Sequence, residues 1–195
     1  MENIKNEAEA RLELINEMIA SAKKNFQYKG FYLLLWGWVV MLASAGHYVL
    51  LQFTDYSRPW AAWWLIVAGI VASAVYGVKT TKRETSPRTL VDRMFVWIWM
   101  GFLVCYGTFV FFGAELNYEI PALTFILAAF AVFLSGALLR FRPLMWGAAV
   151  LWAGGTAMFL LPMDMQLLLT VVIIGLGYLI PGYQLQKAAK KENHV

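Results

Sequence analysis

Residues 30–53 read GFYLLLWGWVVMLASAGHYVLLQF, a run of 24 residues without one Asp, Glu, Lys or Arg. A bilayer core about 30 Å thick needs about 20 apolar residues at 1.5 Å per helical residue. The run is therefore long enough to cross a membrane. Five more uncharged runs follow at 60–78, 94–113, 120–139, 144–161 and 167–182. Helix is the reading for all six, because a lipid-exposed backbone must bond within its own segment or close into a barrel. The alternating ten-residue segments of barrel strands are absent. The last two runs are the shortest, and Pro181 is expected to end or kink the sixth.

Composition agrees with that reading. The chain has 195 residues, 61% hydrophobic and 14% charged, with a mean hydropathy of +0.60. Soluble domains average roughly 45–50% apolar and about 25% charged residues. An ordinary soluble protein, a disordered chain and a nucleic-acid-binding module are thereby excluded. One Cys among 195 residues excludes a disulfide framework and a multi-Cys metal site.

The basic residues set an orientation. Fifteen of the 16 Lys and Arg residues fall on one side of the six-span frame, and Arg58 alone on the other. With acids counted, the basic side carries fifteen cations against eight anions, a net +7, and the other side is −3. The positive-inside rule then predicts both termini in the cytoplasm. Trp36, Trp38, Trp97, Trp99 and Trp146 fall near the inner ends and Trp60, Trp63 and Trp64 near an outer end, as expected for rings anchored at headgroup level. The expectation is an all-α, multi-pass protein of the bacterial inner membrane. Its membrane domain spans 30–182 and its basic tail 183–195.

The segment 1–29 reads as a cytoplasmic amphipathic helix. Ile4, Ala8, Leu12, Ile15, Ile19, Ala22 and Phe26 recur at three- and four-residue steps, which puts them on one stripe. Glu7, Glu9, Glu13 and Glu17 make the rest acidic, whereas a helix lying on anionic lipid prefers Lys and Arg there. Leu12, Ile15, Ile19 and Phe26 are therefore the candidate partner-binding residues. The other reading folds the helix beneath the chain's own bundle.

The spans also group as three hairpins. Odd spans open on Trp and Gly (LLLWGWVV, MFVWIWMG, LMWGAAVLW), and even spans end on Gly ahead of basic residues (YGVKTTKR, SGALLRFR, PGYQLQK). Each hairpin would start and end inside, as parallel repeats do. Gly69, Ser73 and Gly77, and likewise Ala149, Ala153 and Ala157, form small-residue rows suited to close helix packing.

Little chemistry is available. The hydrocarbon centre holds no Asp, Glu, Lys or Arg, which argues against proton-coupled transport and acid–base catalysis. His47 lies about six residues inside the outer end of its span. One reading bonds it to water or backbone; the other groups it with Asp55, Glu115, Glu119 and Asp164 as ligands for a divalent cation. Ser135 sits near the inner end, far from His47, so no nucleophile–base pair forms. Cys105 reads as a small buried apolar residue. No phosphate loop, zinc-protease helix or dinucleotide fingerprint occurs. Neither an enzyme nor a cofactor is expected. In the connection KTTKRETSPRTLVDR, Lys79, Lys82, Arg83 and Arg88 are expected to meet anionic lipid, worth about 1 kcal/mol each.

The stretch MIASAKKNFQYKGFYLLLWGW (18–38), followed by short-looped spans, resembles small six-span bacterial inner-membrane proteins of unassigned function. The resemblance is firmest over 12–40 and carries no catalytic or ligand residue across. The proline–acid–base signature of mitochondrial-type carriers is missing. Two functions follow as expectations. One is an interaction or regulatory protein working through the N-terminal helix and basic loop, on a cytoplasmic or membrane protein or a second copy of itself. The other is a passive channel through a six-helix ring.

Overall fold

The computed structural model describes residues 30–81, 90–116 and 119–191, and every regular element among them is a helix. The stripe residues Leu12, Ile15, Ile19 and Phe26, and the basic Lys82, Arg83 and Arg88, lie outside the described residues.

Helix α1 spans Gly30–Phe53. A short 3₁₀ turn, Pro59–Trp64, opens on the fixed φ of Pro59 and leads into α2, Leu65–Thr81. Then come α3 (Leu90–Phe111), α4 (Ile120–Leu138), α5 (Arg142–Met158), α6 (Met163–Ile174) and α7 (Ile180–Lys191). Five stretches are long and apolar enough to cross a membrane: Gly30–Phe53, Pro59–Lys79, Arg93–Phe111, Ile120–Leu138 and Met163–Ala188. α5, with 17 residues, is not among these five; it is about 26 Å long and at the lower limit for a span.

The last helix departs from expectation. It is the longest, because α6 and α7 are joined without a break by a π-helical turn, Gly175–Leu179. Pro181 does not end it. An α-helical residue 181 would donate to the carbonyl of Gly177, and proline has no N–H to give. The wider turn lies directly before Pro181, and the Ile180 N–H bonds the Gly175 carbonyl, five residues back. A π-turn in this place lets the helix pass its proline.

Glycine contacts give the order of the helices. α1 meets α2 where Gly69 faces Val39 and Gly77 faces the Tyr32 hydroxyl. It meets the α6–α7 rod where Gly37 faces Tyr178 and Leu179, and Gly182 faces Leu34. The rod packs on α5 through Gly147–Gly177 and Gly154–Ile173, and α5 packs on α4 through Gly155–Phe125 and Gly136–Met145. α3 packs on α4. Among the described residues α1 thus lies between α2 and the α6–α7 rod, the rod beside α5, and α4 between α5 and α3. Association of apolar helices in lipid depends on such close approaches, since lipid tails are as apolar as leucine.

The two small-residue rows behave differently. Gly69, Ser73 and Gly77 do face a neighbour, α1, and the Tyr32 hydroxyl lies 3.5 Å from the Ser73 carbonyl. Ala149 and Ala153 are exposed, and the close packing of α5 falls to Gly147, Gly154 and Gly155. Cys105 is also exposed rather than buried. In the apolar window of α3 no residue is buried, though Phe95 and Trp99 pack against the core.

Candidate functional site

Lys79, Arg93, Arg140, Arg142 and Lys187 mark one end of the bundle, and Asp55, Glu115, Glu119 and Asp164 the opposite, acidic end. Of the five buried polar side chains among the described residues, Ser44, His47, Gln166 and Thr170 belong to the acidic half; Ser135 is the exception.

Ser44 and His47 sit three residues apart on α1 and so share a face. The Ser44 hydroxyl donates to the Leu167 carbonyl of α6 at 2.9 Å. His47 Nδ1 accepts from Trp63 Nε1 at 3.0 Å. Pro59 and the turn it opens deliver that indole, and the Ala61 N–H bonds back to the Arg58 carbonyl at 2.9 Å. His47 Nδ1 therefore has a side-chain partner, the Trp63 indole.

Gln166 is the central group, and only 5% of it is exposed. Helix α6 starts after Pro162 with Asp164 in its first turn, which puts Gln166 one turn inside the helix. Its Nε2 donates to the carbonyls of Met158 and Leu161, at 3.1 and 3.0 Å, and lies 3.4 Å from Glu119 Oε2. The last carbonyls of a helix have no partner within it, so Gln166 caps the end of α5 and ties it to α4 and α6. Three acceptors around one atom identify it as the amide nitrogen. The other amide atom, Oε1, is buried without a hydrogen-bond partner. One residue turn on, the Thr170 hydroxyl donates to the Gln166 carbonyl at 2.9 Å.

The carboxylates grouped with His47 from the sequence do not come together. Asp55 and Glu115 are exposed, Asp164 is half-buried, and Glu119 approaches Gln166. Among the described residues no three His, Cys, Asp or Glu side chains are placed to hold a metal ion. The Ser135 hydroxyl donates to the Ala131 carbonyl of its own helix at 2.7 Å, so no base holds it. The arrangement among these residues is a polar clamp on helix ends. Lys79 is exposed at the basic end of α2.

Sequence reasoning missed Gln166 by beginning the sixth span at 167. The available signal was a proline followed by an acid in the first turn, the usual opening of a helix. Replacing Gln166 by Leu removes the donor to the Leu161 carbonyl and one of the two donors to the Met158 carbonyl, hydrogen bonds worth about 0.5–1.5 kcal/mol each. A clear fall in melting temperature in mild detergent is expected, and a smaller one for Trp63→Phe.

The chain matches no known protein-family model, and no curated protein sequence or solved structure shows significant similarity to it.

Proposed function

We propose that the chain is a non-enzymatic integral protein of the bacterial inner membrane that acts by interaction or regulation. Its working parts are the N-terminal helix, through Leu12, Ile15, Ile19 and Phe26, and the basic connection between α2 and α3. Both termini are cytoplasmic in this reading, and the six spans are three hairpins. Lys79, Lys82, Arg83 and Arg88 hold that face against anionic lipid. The partner is a cytoplasmic or membrane protein, or a second copy of the chain.

The observation that carries this reading is the packed interior. Leu33, Val132, Leu144, Leu151, Met158 and Leu185 are fully buried. They fill the space that a six-helix channel would keep open. Function is left to the surfaces. Gly30 packs against Gln186 of α7, so the start of α1 lies beside α7, at the end that carries Lys79.

Deleting residues 2–24 separates this reading from a channel. The deletion is expected to insert normally and to lose the proteins that co-purify with the full chain in mild detergent. A channel would keep its flux in liposomes after the same deletion. Intact partner recovery together with flux would replace the interaction reading by the channel.

A further inference from the structure

A groove of about 930 Å³ runs along the outer side of the bundle between α3, α4 and α5. We propose that it holds one acyl chain of an anionic glycerophospholipid, with the lipid phosphate at Arg142.

The sequence builds the groove from small residues flanked by large ones. Ala129 and Ala148 are buried and form the floor. Phe130 and Phe133 of α4 stand on one side and Trp146 of α5 on the other, with 62%, 44% and 75% of their surfaces exposed. Rings that stand free over an alanine floor leave a slot that only apolar matter fills well, because a ring edge without a neighbour forfeits its dispersion contacts.

Charge identifies the occupant. Among the described residues Arg142 is the sole charged one lining the groove, and it lies at one end, on the basic side of the bundle. From Arg142 to Trp152, ten residues along α5, is about 15 Å, half of a core about 30 Å thick. A chain that lies in the slot with its headgroup at Arg142 therefore reaches through one leaflet. The guanidinium presents a planar fork of donors to phosphate oxygens, and basic pockets between membrane helices are known to take anionic headgroups. Arg140 lies two residues away and is exposed, adding a second cation at headgroup level. Among the described residues no acidic one lines the groove to oppose an anion. This site is separate from the basic connection between α2 and α3 and does not depend on the interaction reading.

The test uses the full chain, delipidated in mild detergent, and phosphatidylglycerol or phosphatidylcholine with the same acyl chains. Native mass spectrometry is expected to show one phosphatidylglycerol retained per chain and phosphatidylcholine lost. Arg142→Gln should weaken that retention roughly fivefold or more. Ala149→Phe, at an exposed groove position, should remove it by filling the slot while leaving the cation in place. Arg58→Gln, at the opposite end, should leave it unchanged. The proposal is overturned if the two lipids are retained alike, if Arg142→Gln binds like wild type, or if Arg58→Gln loses as much. A lipid-free dimer closed over the groove would also overturn it. Should Ala149→Phe melt early, Arg142→Gln alone decides.

Discussion

Gly147→Val is expected to be the most damaging single substitution in the bundle. A Cβ at position 147 would collide with the Gly177 carbonyl oxygen and crowd the Pro181 ring. That carbonyl is the one an α-helical Pro181 would have bonded, so the π-turn, the proline and the glycine of α5 form one unit. The obstacle is backbone on one side and a fixed ring on the other, and neither can swing away as a long side chain can. Overpacking a well-filled interior typically costs 1–3 kcal/mol, occasionally more, and a backbone collision belongs at the upper end. Thermal unfolding in mild detergent should show a large drop for Gly147→Val. Gly101 of α3 has nothing within 4 Å of an added Cβ. Gly101→Ala should be neutral, or stabilising by up to about 1 kcal/mol from helix propensity. Equal behaviour of the two variants would contradict the packing of α5 on the rod.

Ile15→Asp combined with Ile19→Asp is expected to reduce partner affinity at least a hundredfold. Burying one Ile or Leu against a partner is worth about 1.5–3 kcal/mol, and about 1.4 kcal/mol corresponds to tenfold in affinity. Two buried side chains replaced by charges therefore remove several kcal/mol. If the stripe serves a partner, insertion and yield should match wild type. Quantitative recovery of co-purifying proteins, normalised to inserted protein, measures the effect. A double variant that inserts normally and retains every partner would reduce the N-terminal helix to an anchor and move the channel reading ahead.

The helices themselves were legible because a membrane span has a simple requirement. A run of 18 or more residues free of charge, such as 30–53 or 120–139, can be recognised without knowing its neighbours. The expected 60–78 and 120–139 correspond to Pro59–Lys79 and Ile120–Leu138. Where a helix turns polar, hydropathy stops reporting it. The rod therefore extends beyond 167–182 to Met163 at one end and, through Gln184 and Lys187, to Lys191 at the other. Its passage through Pro181 was hidden because the compensating π-turn is a backbone adjustment with no pattern of its own in the sequence. The order of the helices was not legible either. Apolar residues surround most of each span, so periodicity does not say which face meets protein and which meets lipid.

The acidic-end clamp shows the same division. His47 and the carboxylates were conspicuous as residue types. Their partners were set by geometry across connections: Trp63 reaches His47 through a 3₁₀ turn, and Gln166 reaches α5 by starting its helix early. A glutamine in a presumed loop carried no signal until the helix boundary moved.

Sidedness is the most direct test of the proposal that the N-terminal helix and the basic connection share one cytoplasmic face. Fusions of a periplasm-active phosphatase and a cytoplasm-fluorescent protein, placed after Tyr56 and at Val195, report it. The expected result is phosphatase activity at Tyr56 and fluorescence at Val195. Phosphatase activity at Val195 would put the C-terminus outside and contradict the shared face.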